Sequence, residues 1–211
     1  MYYAEIKNYD RANGFGVRVS LFVSGCPHHC KGCFNEIAWN YKYGKPFTEN
    51  DIDESISLLK PSYIRGLSLL GGEPMYPDNQ KAILPLLKKV KEVYKNEKDI
   101  WCYSGYLFDD EIMKDMYEKY PFTKEIISYI DVLVDGRFDA SKAHKGLVFR
   151  GSANQRIIDV PKSLKEKKIM TIPVNDRTFQ KIERGVFESC SKLTSIIINK
   201  KAGSIAGSPW S

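Results

Sequence analysis

Hydrophobic positions along the chain alternate between short continuous runs and stretches with a three-to-four-residue period. Val17-Arg18-Val19-Ser20-Leu21-Phe22-Val23 is β-branched and aromatic and stops at Ser24-Gly25, which predicts a strand. Leu67-Ser68-Leu69-Leu70, closed by Gly71-Gly72, reads as a buried strand. So do Ile100-Trp101-Cys102-Tyr103 before Ser104-Gly105, and Val132-Leu133-Val134 before Asp135-Gly136. Between these runs the period changes. Thr48-Glu49-Asn50-Asp51 resembles a capping box, with Ile52, Ile56, Leu58 and Leu59 behind it, so a helix follows. From Asn79 to Tyr94, Ile83, Leu84, Leu87, Val90 and Tyr94 recur at helical spacing with lysines on the other face. Residues 109–119 read as a further helix.

Strands alternating with helices imply right-handed crossovers and a mostly parallel sheet. Such sheets bind ligands at the carboxyl ends of their strands. The Gly- and Cys-rich segments fall there each time, after Val23, Leu70, Tyr103 and Val134, which predicts one shared site. After Ile169 the alternation breaks. Residues 182–198 read as a helix-like turn and a β-branched strand, and residues 203–210 as loop.

Composition narrows the class. The chain has 211 residues, 43% of them hydrophobic and 27% charged, which excludes wholesale disorder. No apolar run approaches the roughly 18–20 residues needed to cross a bilayer. Met1-Tyr2-Tyr3-Ala4-Glu5-Ile6-Lys7 lacks the apolar core of a signal peptide, so a soluble, cytoplasmic chain with no membrane partner is expected. The net charge of +6 is not spread evenly. Residues 162–211 hold 8 Lys and 2 Arg against 4 acidic groups, and residues 1–161 hold 22 of each sign. A neutral body does not read as a phosphate-backbone binder, so no nucleic-acid partner is expected.

Five cysteines in a chain without an export signal argue against a disulfide framework. Three of them stand in Cys26-Pro27-His28-His29-Cys30-Lys31-Gly32-Cys33, spaced C-x3-C-x2-C. Three thiolates this close can converge on one metal or cluster. A zinc site normally takes four ligands and an ordinary iron–sulfur cluster four cysteines. Two readings follow. His28 or His29 completes a non-catalytic Zn(Cys3His) module, or one iron of a 4Fe–4S cluster is left open for a ligand that is not protein. The spacing favours the second, either as a catalyst or as a redox-sensing iron–sulfur protein.

The C-x3-C-x2-C spacing followed by Phe34 resembles the signature of radical S-adenosylmethionine (SAM) enzymes, and Gly71-Gly72-Glu73-Pro74 after a strand resembles their second motif. Six further segments stand in the order seen in activating proteins of anaerobic (class III) ribonucleoside-triphosphate reductases. They are Asn13-Gly14-Phe15-Gly16-Val17-Arg18, Phe22-Val23-Ser24-Gly25-Cys26-Pro27-His28-His29-Cys30, Gly44-Lys45-Pro46-Phe47-Thr48, Asp99-Ile100-Trp101-Cys102-Tyr103-Ser104-Gly105-Tyr106, Asp131-Val132-Leu133-Val134-Asp135-Gly136 and Arg150-Gly151-Ser152-Ala153-Asn154-Gln155-Arg156. The match covers residues 1–165, taken as the activase domain.

That resemblance implies one 4Fe–4S cluster per chain and SAM as cofactors, a flavodoxin-type electron donor, and the anaerobic reductase as protein substrate. SAM cleavage then generates a radical on a glycine of the reductase. By position, Cys26, Cys30 and Cys33 would ligate the cluster. Gly32, Cys33 and Phe34 would line SAM near it, Gly72 would meet the methionine moiety, and Ser104 and Asp135 would add contacts at later strand ends. His28 and His29 are expected to make loop hydrogen bonds, and Cys102 to face the core. Arg150 and Arg156 would support docking of the reductase or pair with carboxylates. The implied fold is α/β, an incomplete, laterally open (βα)6 barrel, since about 165 residues fall short of the roughly 250 of a closed eight-fold barrel. Residues 166–211 depart from the family. This basic C-terminal appendage resembles a single leucine-rich repeat at Val186–Ile196, which cannot bury a core alone, so little order is expected there.

Overall fold

The apolar runs fold into one seven-stranded sheet with helices on one face and an aromatic cluster on the other. A computed structural model describes residues 1–176. Its elements are β1 (Tyr2–Asp10), β2 (Val17–Val23), a 3-10 turn at Glu36–Trp39, β3 (Lys45–Pro46), α1 (Glu49–Leu59), β4 (Ile64–Gly71), α2 (Pro77–Tyr94) and β5 (Asp99–Ser104). A π-helix, Phe108–Met116, runs into the single turn α3 (Tyr117–Lys119). Then come α4 (Thr123–Tyr129), β6 (Val132–Asp135), a 3-10 turn at Ala140–Lys142, β7 (Arg156–Asp159) and α5 (Val160–Glu166). Among the described residues no helix is long and apolar enough to cross a membrane. The repeat-like stretch and Cys190 lie outside the described residues.

The strand order is β3-β1-β2-β4-β5-β6-β7. The four predicted strands β2, β4, β5 and β6 are mutually parallel, in register at Leu21↔Leu69, Leu67↔Ile100 and Cys102↔Leu133. An antiparallel strand flanks them on each side, β1 against β2 and β7 against β6. The architecture is therefore mixed α/β with an open sheet, and its parallel part spans four strands.

Alternate residues of a strand point to opposite faces, and β5 shows the consequence. Ile100 and Cys102 enter the helix-side core with Leu67, Leu69, Ile83, Leu87, Ile126 and Leu133. Trp101 and Tyr103 turn the other way, where Trp101 joins Val132, Val134 and Ile157. Phe15, Trp101 and Phe149 meet there edge to face at 4.9–5.5 Å between ring centroids. Each large aliphatic chain sealed on the helix side contributes about 1.5–3 kcal/mol.

Arg18 is the exception within an apolar strand. It is fully buried, donating from Nε to Ser68 Oγ at 2.7 Å and from Nη2 to the Leu67 carbonyl at 2.8 Å. Its Nη2 also stands 2.6 Å from Asp99 Oδ1. A Cβ on Gly14 would lie 2.9 Å from Arg18 Cδ and from the Trp101 ring, so the glycine makes room for this buried charge.

Three local outcomes refine the expected elements. The capping box closes as read: the Asp51 carboxylate accepts from the Thr48 amide and hydroxyl at 2.6 Å. The helix expected over 109–119 is widened to a π-helix at its start, because the Leu107 carbonyl accepts from both the Glu111 and Ile112 amides at 3.0 and 2.9 Å. Past α5 the chain returns to β7, with the Asp159 amide donating to the Met170 carbonyl and the Ile172 amide to the Ile157 carbonyl. Ile169 joins the helix-side core, and Ile172 and Val174 join the aromatic cluster.

Candidate functional site

The cysteine loop leaves β2 at its carboxyl end and is tied down by backbone bonds. Gly25 donates to the Ala38 carbonyl at 2.8 Å, and Cys33 donates to the Cys30 carbonyl at 3.1 Å. Gly25, His29 and Gly32 all take positive φ, which turns the loop tightly. The Gly-Gly-Glu-Pro loop after β4 locks onto it. Gly72 donates to the Val23 carbonyl at 2.7 Å and Glu73 to the Gly25 carbonyl at 2.8 Å. A Cβ on Gly72 would sit 2.5 Å from the Gly25 oxygen, so what Gly72 admits in this structure is the backbone of the cysteine loop.

Glu73 is the buried hub of this junction. Its Oε1 accepts from the Met75 amide at 2.8 Å and Ser104 Oγ at 2.9 Å. Its Oε2 accepts from the Gly105 amide and faces His28 Nε2, both at 2.7 Å. The carboxylate thus joins the tips of β2, β4 and β5. Gly105 must lack a side chain here, since a Cβ would come 2.3 Å from His28 Cδ2. His29 stacks flat on Trp39 at 4.6 Å. His28 thus bonds Glu73 of the neighbouring loop and lines the cavity beside the cysteines, and His29 stacks on Trp39 instead of making the expected loop hydrogen bond.

A cavity of about 340 Å³ opens at these strand tips, and Cys26, Cys30, Cys33, Phe34, Gly72 and Ser104 all line it. The structure therefore brings six of the expected site residues together. Two it does not. Gly32 is exposed in the turn between Cys30 and Cys33 and faces Ala140 and the cavity-wall residue Phe138 without lining the cavity itself. Asp135 is buried beneath the cavity wall, where Arg156 Nε donates to its Oδ1 at 2.9 Å and the Phe108 amide donates to its Oδ2 at 2.8 Å. Those bonds hold the π-helix and β7 to β6, and leave Gly136, which does line the cavity, at the strand tip. Arg156 also binds Asp109 at 2.8 Å, which keeps the Asp109 carboxyl below the usual carboxylate range. Arg150 pairs with Asp176. The carboxylate pairing expected for both arginines is what the structure contains.

The three thiols are free and partly exposed, and Cys102 is free and buried in the core. Burial pushes the Cys26 thiol up to about 11, so it stays protonated at neutral pH unless a metal takes the sulfur. Among the described residues no three Cys, His, Asp or Glu side chains are gathered to hold a metal ion. A lone zinc needs its ligands to meet at about 2.0–2.3 Å from one point. Three thiols line one cavity wall, one short of the four protein ligands of a closed zinc or iron–sulfur site.

Sequence reasoning missed Glu73 and Tyr103 as parts of this wall, which Arg150, singled out for docking or carboxylate pairing, also lines. Glu73 lay inside a quoted motif, and its role became visible only when the sheet brought residues 28, 104 and 105 to it.

A buried junction of strand tips, edged by three free thiols, defines an iron–sulfur class of protein. Residues 12–158 match the family model described as "4Fe-4S single cluster domain". Curated relatives sharpen this. The chain is 44% identical over 156 residues to the anaerobic ribonucleoside-triphosphate reductase-activating protein of Enterobacteria phage T4, covering 71% of this chain and 92% of that one. It is 42% identical over 159 residues to the protein of the same name from Pasteurella multocida, covering 74% and 96%. The Escherichia coli K12 protein of that name is 38% identical over 157 residues, covering 74% and 96%. The chain belongs to the family of anaerobic ribonucleoside-triphosphate reductase-activating proteins.

Proposed function

We propose that this chain is a radical SAM activase that generates a glycyl radical on an anaerobic ribonucleoside-triphosphate reductase. The observation that carries the reading is the junction itself: three free thiols share one cavity with the Gly-Gly-Glu loop hydrogen-bonded to their own loop. Cys26, Cys30 and Cys33 would hold one 4Fe–4S cluster, leaving an iron for SAM. When bound and reduced by one electron from a flavodoxin-type donor, that cluster supplies the electron that splits SAM into methionine and a 5′-deoxyadenosyl radical, which takes a hydrogen atom from a reductase glycine.

The chain's own contribution is placement. Gly72 and its neighbours fix the backbone beside the thiols, Glu73 makes the tips of three strands one rigid wall, and Phe34 stands 87% exposed at the mouth. Gly32 and Asp135 then act by shaping, Gly32 by turning the loop and Asp135 by fixing the β6 tip below Gly136. Ser104 reaches the cavity while its hydroxyl serves Glu73. The open sheet is read as an incomplete (βα)6 barrel of the radical SAM type, whose open side admits a segment of another protein. The repeat-like stretch at residues 186–196 is assigned no part in the chemistry.

Anaerobic reconstitution tests the reading. The account expects about four iron and four sulfide per chain, and 5′-deoxyadenosine on reduction with SAM. Colourless protein carrying one zinc would establish the zinc module instead. A cluster that forms but never cleaves SAM would leave a redox sensor.

A further inference from the structure

Two buried polar atoms in the cavity wall have no hydrogen-bond partner among the described residues: the Tyr103 hydroxyl and Arg150 Nε. Folded proteins leave few such groups, because each costs about 1–3 kcal/mol when unmet. Gln155 and Asn13 on the same wall are engaged within the protein. Gln155 Oε1 accepts from the Gly151 and Ser152 amides and its Nε2 donates to the Gly136 carbonyl. Asn13 Nδ2 donates to Asp10 Oδ2. Arg150 Nη1 donates to the Gln155 carbonyl at 3.2 Å and Nη2 is held by Asp176. Two of the five guanidinium N–H groups thus hold it in place, and the buried Nε–H has no partner among the described residues. An Arg Nε is a donor only, so its complement is an acceptor atom of a ligand.

The two groups come from other strands than the thiols, although the segment after β6 reaches the cysteine loop where Phe138 faces Gly32. The cysteines follow β2 and the Gly-Gly loop follows β4, whereas Tyr103 is on β5 and Arg150 lies in the segment after β6. Neighbouring strands are about 4.8 Å apart, so β6 stands about 14 Å from β2. The near half of the cavity is the place for the cofactor under the proposed function. The half that Tyr103 and Arg150 line remains for a second reactant. Phe138, Leu147 and Phe149 make that half apolar, and Gly136 and Gly151 keep its wall low. A slot of this kind, with two donors and no free acceptor carboxylate, fits an extended main chain, which offers a carbonyl oxygen at every residue.

We propose that Tyr103 and Arg150 are substrate-positioning residues that donate hydrogen bonds to main-chain carbonyl oxygens of the reductase's glycine-bearing segment. This rests on the radical SAM reading above. The test uses the reconstituted holoenzyme and an anaerobic reductase. Tyr103→Phe removes only the hydroxyl; Arg150→Lys keeps a positive charge opposite Asp176 and loses the Nε–H. Three quantities are read: 5′-deoxyadenosine formed without reductase, glycyl radicals per 5′-deoxyadenosine by electron paramagnetic resonance, and the reductase concentration giving half-maximal activation. The expected result is a fall in radicals per 5′-deoxyadenosine of about tenfold for Arg150→Lys and about threefold for Tyr103→Phe, with a matching rise in half-maximal reductase concentration. Loss of reductase-independent cleavage by the same factors would overturn the proposal and assign both groups to SAM. No change in any quantity would also overturn it and leave the atoms to water. Absence of SAM cleavage in the wild-type protein would overturn the underlying reading, and this proposal with it.

Discussion

Two buried polar clusters sit on the same parallel strands, and they differ in what they leave open. On the first, the Arg18 guanidinium is spent on Ser68, the Leu67 and Phe15 carbonyls and Asp99, with the Trp101 ring 5.4 Å away. On the second, Glu73 is as fully engaged, by Met75, Ser104, Gly105 and His28. Asp99 Oδ1 in the first cluster lacks a well-aligned hydrogen bond but still has Arg18 Nη2 at 2.6 Å. Around Glu73, by contrast, three thiols are free and, in the same cavity wall, a hydroxyl and a guanidinium N–H have no partner among the described residues. A buried charge is therefore no sign of a site by itself. What marks the site is bonding capacity that the protein has left unused.

That contrast can be broken in four ways. Cys30→Ala has the largest expected effect: the reconstituted protein should lose its cluster and with it all SAM cleavage, while its unfolding midpoint as apoprotein stays close to wild type. Iron analysis and denaturant unfolding on the same sample check both halves. Arg18→Met should do the reverse. It leaves several acceptors buried without a donor and is expected to destabilise the fold by about 3 kcal/mol, discounted from the upper range because Asp99 is partly exposed. Iron per folded chain should be unchanged, and a loss of cluster in that variant would erase the distinction between the two ends. Glu73→Gln falls between them. It keeps the volume but offers an amide where two donors now converge, so about 1–2 kcal/mol of stability should go, together with faster loss of cluster on dilution. Cys102→Ala is the smallest, at about 1 kcal/mol from a core contact, with cluster content and cleavage intact.

Much of this arrangement was legible in the chain. The parallel strands announced themselves as apolar runs ending in glycine, since a strand buried on both faces needs no polar alternation. The edge strands did not. β1 mixes Tyr2, Tyr3 and Ile6 with Glu5, Lys7 and Asp10 and is only half buried, and β7 is four residues led by an arginine. The cysteine spacing and the Gly-Gly-Glu-Pro turn pointed to one shared end of the sheet, and the cavity gathers both. Asp135 shows the limit. Nothing in Val134-Asp135-Gly136 says that an arginine twenty-one residues later will take the carboxylate, because that pairing exists only once β7 returns antiparallel to β6. Glu73 was hidden for the same reason, its four partners lying between 2 and 45 residues away in sequence.

The central claim is that the cavity at the strand tips delivers a radical to a partner's glycine. Its most direct test is the electron paramagnetic resonance spectrum of an anaerobic ribonucleoside-triphosphate reductase after incubation with the reconstituted chain, SAM and a one-electron reductant. The account predicts a glycyl-radical signal on the reductase that depends on SAM and vanishes with Cys30→Ala. Fully clustered wild-type protein that yields no such signal, or a signal that persists in Cys30→Ala, would contradict it.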